Sequence, residues 1–313
     1  MKSRNRMLDR KKIKTYPFRE RKNLVRVSDF ASPLEDADAL SGFMTSLPNI
    51  LAARDLLKLV ELIIEAHRQE KSVVIMMGGH VIKTGLAPLI IEMVKMGIVK
   101  AVAMGGAAAI HDFEIALFGE TSEDVQENIM DGSFGMVEET GKLMNECTLV
   151  AAKEGLGLGE SLGKYLKEKE AANTEVSLLA QGYERGIPVT VHVAIGTDII
   201  HQHPNCDGAA IGDATYRDFL IFAEVVRNIT GGVVLNIGSA VLMPEVFLKA
   251  LSMAQNIGEL GSFTTADFDM FSHYRPTQNV VKRPARVGGA GYSFRGHHEI
   301  MIPLLVGLIK AKL

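Results

Sequence analysis

Tryptophan is absent from this chain, and Cys147 and Cys206 are its only cysteines among 313 residues. Two cysteines cannot build a disulfide framework or a cysteine-rich metal site. Aromatic residues make up 6% of the chain, and no basic patch interleaved with them marks a nucleic-acid surface. No apolar run approaches the roughly eighteen residues that span a bilayer. The amino terminus is rich in Arg and Lys without an apolar follow-on. Neither nucleic acid nor membrane is therefore expected as a partner, and a cytoplasmic protein is the simple reading. What is present, 47% apolar and 23% charged residues, suits a globular chain with a large buried core.

Charge is uneven. Residues 1–22 hold ten Lys/Arg against Asp9 and Glu20, a balance of +8 that leaves −11 for the remainder. Such an arm can bind nucleic acid, lie across an acidic surface of its own assembly, or remain a solvated tail. Residues 1–48 read as this basic arm and an irregular lead-in, and 49–313 as a single α/β domain.

From Asn49 to Glu70 apolar residues recur at helical spacing. Ser72–Met77 and Val99–Met104 are continuously apolar, as strands covered on both faces are. Each runs into a glycine pair, Gly78-Gly79 and Gly105-Gly106, and then a helix. Further strands are expected at 187–195, 233–237 and 262–266, with helices at 213–228, 244–256 and 297–312. This alternation predicts a doubly wound α/β fold, mainly parallel, with helices on both faces.

Glycine pairs at strand exits let backbone amides approach an anion at a helix start. Two such exits on adjacent strands mark a crevice floor. His111-Asp112 lies just beyond the second, where an imidazole beside a carboxylate suits a general base, a nucleotide contact or a surface cap. Gly261-Ser-Phe-Thr-Thr-Ala-Asp-Phe-Asp269 is expected to place hydroxyls, amides and a carboxylate at the carboxyl edge of the sheet, where open α/β folds bind nucleotides. His201 and His203, with His192 and Asp207, have the alternation of a metal-binding His-x-His pair. Lys282, held in an apolar setting, could form an imine.

These pieces, in this order over roughly residues 71–118 and 187–313, resemble deoxyhypusine synthase. That family is NAD-dependent, usually tetrameric and α/β in fold, and it moves an aminobutyl group from spermidine through an enzyme-lysine imine. The resemblance implies a Rossmann-type NAD site. Gly79, His80 and Thr84 would form its turn over the cofactor, Gly105, Gly106 and Ala107 the next exit, and Thr197 with Asp198 the ribose contact. Gly238 and Ser239, Thr265 and Ala266, Asp269 and His297 would complete the cofactor set. It further implies Lys282 as nucleophile, His111 as its helper, an amine or polyamine substrate, and a homo-oligomer, dimer or tetramer. Two departures stand out. Lys282 follows Arg275-Pro276 by six residues where the family has eight and a Trp-Gly-Lys, and the family's Lys-His-His reads Leu242-Met243-Pro244.

Three functions follow as expectations. The first is an NAD-dependent enzyme acting on an amine or amino-acid-like substrate, by dehydrogenation or aminoalkyl transfer and not authentic deoxyhypusine synthesis. The second is a metal-dependent hydrolase built on His192, His201, His203 and Asp207. The third is a non-catalytic NAD-binding module.

Overall fold

In a computed structural model, residues 10–34 and 38–313 are described. Six strands form one sheet: β1 (Val73–Met77), β2 (Val99–Gly105), β3 (Val189–His192), β4 (Val233–Ile237), β5 (Thr264–Asp269) and β6 (Gly291–Arg295). Their spatial order is β3-β2-β1-β4-β5-β6. Every pairing is parallel. The order runs outward from β1 in one direction and then reverses at β1/β4, the Rossmann arrangement with its topological switch point between those two strands.

The sheet is buried because its strands are apolar on both faces. All five residues of β1 are fully buried. The helices that flank it include α1 (Leu51–Arg68), α2 (Gly79–Lys83), α3 (Ala87–Lys95), α4 (Gly106–Phe118), α5 (Glu138–Glu154), α6 (Leu158–Glu168), α7 (Leu178–Arg185), α8 (Gly208–Arg227), α9 (Leu242–Ile257) and α10 (His298–Lys312). Val73, Ile75, Met77, Leu235 and Phe268 face one core, shared with α1, α3, α4 and α10. Val74, Met76, Ala103 and Val234 face the other, closed by Phe222 and Val226 of α8 and by Met243 and Phe247 of α9. The sheet is thus doubly wound, as the alternation predicts.

Three differences from the sequence reading bear on the site. The strand expected at 262–266 instead runs through Asp269, so Thr265 and Ala266 lie inside it. β6 was not foreseen: its five residues are bounded by glycines, lie at the sheet edge and lack an apolar run. The basic arm, where described, is no solvated tail. Residues 16–31 pair with the body of the chain: Tyr16 with Met136 and Glu138, Leu24 with Ser122, Val27 with Gly119 and Ala31 with Gly85. Val25 and Arg26 form a two-stranded ribbon with Thr121 and Glu120. The part of the arm at residues 1–9 lies outside the described residues.

Candidate active site

The carboxyl ends of β1, β2 and β4 meet at one place, and glycines allow it. A Cβ on Gly78, just past β1, would lie 2.3 Å from the carbonyl oxygen of Gly238, just past β4. Gly238 has φ +64, a conformation that glycine adopts without strain. Gly79 lies against Ala107, where an added Cβ would meet the methyl group at 3.2 Å. Gly106, at the start of α4, lies against the carboxylate of Asp198: an added Cβ would stand 2.1 Å from Oδ2. The exits therefore form a continuous row, from Gly238 through Gly78 and Gly79 to Gly106 and Asp198.

Beside this row opens a cleft of about 220 Å³, lined among others by Lys83, Ala107, His111, Glu114, Thr197 and Asp198. Asp198 is 8% exposed, and its Oδ2 has no hydrogen-bond partner. Burial raises its pKa to about 6. A buried carboxylate oxygen left unpaired is costly unless a ligand supplies a donor. Burial likewise pushes His111 down to about 4, so its imidazole is neutral at neutral pH.

His111 does not use its sequence neighbour. Asp112, fully buried, caps α7: its oxygens accept from the Ser177 hydroxyl at 2.5 Å and from the amides of Leu178 and Leu179 at 2.7 and 3.1 Å. His111 Nδ1 instead contacts the Thr121 hydroxyl at 2.8 Å, which donates to Glu114 at 2.6 Å. Glu114 is in turn gripped by Arg21 through two bonds of 2.9 and 2.8 Å. Sequence reasoning missed Glu114, Thr121 and Arg21. Glu114 lies one helical turn from His111, a spacing that offers a signal, but Arg21 is ninety residues away.

The other expected residues divide. His80 stands at the crevice, its ring centroid 5.6 Å from that of His298. His298, not His297, is the buried member of that pair: Nε2 sits 3.2 Å from the Phe268 carbonyl while Nδ1 has no partner. His297 is largely exposed, 3.5 Å from Glu299. Thr84 donates to the His80 carbonyl, Thr197 to that of Ala194. Ser239 accepts from the Met243 amide at 3.1 Å, fixing the start of α9. Asp269, at the exit of β5, accepts from the amide of Met270.

Three expected residues lie away from the crevice. Thr265 is buried near the amino end of β5 and donates to the Val280 carbonyl at 2.6 Å. Ala266 is fully buried in the core. Lys282 is exposed and follows Val280 and Val281, which contact Thr265 and Gly291 at the starts of β5 and β6. Because every strand is parallel, that is the opposite edge of the sheet from the glycine exits. Lys282 therefore lies outside the crevice of its own chain.

The histidines of the hydrolase reading are dispersed in their use. His203 binds the Gly135 carbonyl at 2.8 Å, and His192 contacts Thr190 at 3.0 Å. His201 Nδ1 accepts from the amides of Gly196 and Asp198, and Asp207 caps α8. Among the described residues no group of three or more His, Cys, Asp or Glu side chains could hold a metal ion. Nor is any helix among them long and apolar enough to cross a membrane.

The sequence family described as arginine dihydrolase ArgZ-like, C-terminal, Rossmann fold, matches residues 58–130. A sequence search of curated proteins gave no match. Among solved structures, a LOR/SDH protein from Methanococcus maripaludis S2 aligns at TM-score 0.54 and 15% identity, covering 90% of this chain and 74% of that one. Unliganded AgrE aligns at TM-score 0.53 and 16% identity, over 82% of this chain and 32% of its own. A deoxyhypusine synthase from Entamoeba histolytica, so described with reserve, aligns at TM-score 0.51 and 12% identity, over 95% and 96%. The chain spans about a third of the ArgZ and AgrE structures it matches. At such identities the likeness lies in the fold, and that fold is a Rossmann-type α/β sheet.

Proposed function

We propose that this chain is an NAD-dependent enzyme that oxidises an amine or amino-acid-like substrate at the carbon attached to nitrogen. The observation that carries the proposal is the row of glycine-opened exits ending at Asp198, with a neutral His111 in the cleft beside it. Dinucleotides bind across the switch point of Rossmann sheets, and two features of this chain fit such a ligand. Gly78, Gly79 and Gly106 let the strand exits close against Gly238, Ala107 and Asp198 with no side chain rising between them, and the unpaired Asp198 Oδ2 is an acceptor for a ribose hydroxyl.

Bound there, NAD would supply the hydride acceptor for the carbon attached to nitrogen. The protein's own part is proton handling. His111, neutral at neutral pH and weakly basic at about 4, would pass the substrate ammonium's proton on to solvent and so free the nitrogen lone pair. Loss of that proton and of a hydride turns the carbon–nitrogen single bond into an iminium. Catalysis by a positioned imidazole contributes roughly 10²–10⁴-fold. The amino-acid class is in keeping with AgrE, of similar fold, having been solved with L-arginine. The absence of a Trp-Gly-Lys around Lys282 and its remoteness from the crevice both argue against an enzyme-lysine imine in this chain.

Titration with NAD, followed by calorimetry or nicotinamide fluorescence, tests the cofactor. Absence of binding at millimolar NAD ends the proposal. Given binding, a screen of amines and amino acids for NADH formation tests the chemistry, with His111→Gln expected to lower turnover at least a hundredfold.

A further inference from the structure

Arg21 belongs to no strand of the main sheet, yet its side chain is 1% exposed and lines the cleft. The segment around it is anchored independently. Phe18 stacks on Phe118 of α4 with ring centroids 4.0 Å apart, and the Arg21 guanidinium lies 4.7 Å over the Phe18 ring. Its Nε donates to Asn23 at 2.7 Å.

We propose that Arg21 is a positioning residue for His111, acting through Glu114 and Thr121 to fix the Nδ1-protonated tautomer and leave the Nε2 lone pair for the cleft. The argument is an accounting of hydrogens. Glu114 Oε1 accepts from Arg21 Nη1 at 2.9 Å and from Thr140 at 2.7 Å. Oε2 accepts from Arg21 Nη2 at 2.8 Å and from Thr121 at 2.6 Å. Four donors fill the roughly four acceptor directions of a carboxylate, which leaves none for a proton of its own. Thr121 has one hydroxyl hydrogen, and it is directed at Glu114. The 2.8 Å contact between Thr121 and His111 Nδ1 therefore needs its hydrogen from the imidazole. A neutral imidazole carries one N–H, so Nε2 is bare. The described residues offer Nε2 no hydrogen bond, and the ring faces the cleft.

The second ring nitrogen of a functional histidine is set by what the first one binds. Here the partner is a hydroxyl, which could donate or accept. Only the saturation of Glu114 decides between the two, and Arg21 supplies half of that saturation. A solvated neutral histidine side chain favours the opposite form, protonated at Nε2, so the relay works against the default.

The inference deepens the proposed proton transfer, but its test needs neither cofactor nor substrate. Nitrogen-15 NMR of histidine-labelled protein at neutral pH, with the His111→Gln variant to assign the signals, reads the tautomer directly. The expected result is a pyrrole-type Nδ1 and a pyridine-type Nε2 for His111. In Glu114→Gln the side-chain amide donates to Thr121, the hydroxyl hydrogen turns toward Nδ1, and the two signals should exchange types. Thr121→Val leaves the Arg21–Glu114 pair intact and should return His111 to mainly the Nε2-protonated form. It keeps the inference falsifiable if Glu114→Gln fails to fold. A pyridine-type Nδ1 in the unmodified protein overturns the inference, as does an unchanged tautomer in Thr121→Val. A failed NAD titration would instead sink the enzymatic reading and leave the tautomer result standing.

Discussion

Asp198 and Asp218 sit in two regions of the molecule that look alike at first. Each is buried, each presses its carboxylate against a glycine at the start of a helix, and each borders a hollow. Burial raises them to about 6 and about 7 respectively. At the outer flank of β3, Asp218 Oδ2 accepts from the amides of Gly159 and Val191 at 2.9 and 2.8 Å, and Gly157 leaves space for Oδ1. That carboxylate ties α6 to the free edge of the sheet, next to a hollow of about 270 Å³. At the exit of β2, Asp198 Oδ2 accepts from nothing. The difference is one of use: the fold itself fills the acceptors of Asp218 Oδ2, whereas Asp198 Oδ2 is left for the proposed ligand.

The largest expected effect should come at the filled site. Asp218→Ala would leave two backbone amides without acceptors at about 1–3 kcal/mol each, and should destabilise the chain by about 3 kcal/mol in urea unfolding. NAD affinity, measured at a temperature where the variant is folded, should change little. Arg21→Met comes next, because it strands Glu114 in a buried setting. A loss of about 3 kcal/mol is expected, together with a changed His111 tautomer.

Asp198→Ala sharpens the contrast from the other side. Its stability should stay within about 1 kcal/mol of the parent, since no hydrogen bond to Oδ2 is lost, while NAD binding should weaken tenfold or more, or about 1.4 kcal/mol. If Asp198→Ala destabilised the chain as strongly as Asp218→Ala, the two acids would be equivalent and the comparison would fail.

A smaller, pH-dependent effect separates them further. A carboxyl raised in the folded state favours folding below its ordinary pKa near 4, and that contribution is lost as pH rises through the raised value. Asp218→Asn keeps an oxygen for the two amides and removes the charge. Its stability relative to the parent should therefore increase steadily from about pH 4 to about pH 7 and level off above that. The smallest effect is expected for Lys282→Ala, at the remote edge of the sheet: NAD affinity and turnover should both be unchanged.

The frame of this molecule was legible because buried parallel strands write themselves as unbroken apolar runs. Val73–Met77, Val99–Gly105 and Val233–Ile237 each end at a glycine, and those exits gather at one hollow. The end of β5 was misread for a physical reason. Asp267 and Asp269 look like residues leaving a sheet, but Asp267 stays fully buried between Asn236 at 2.8 Å and Arg295 at 2.9 Å. Polar residues paired across strands are invisible to a pattern that treats charge as exposure. The surroundings of His111 were hidden for a related reason. Its neighbour in sequence, Asp112, points into α7, and its working partners come from the ribbon after α4 and from the amino-terminal segment. His298 illustrates the same limit at finer grain, since nothing in His297-His298 tells which ring turns inward.

The strap of residues 16–31 has one more implication. It adds nothing to the order of strands, yet through the proposed relay one of its side chains would set the protonation pattern of an imidazole on α4. Exchanging that strap for another would be a way to retune the cleft's proton affinity while the sheet beneath it stays as it is.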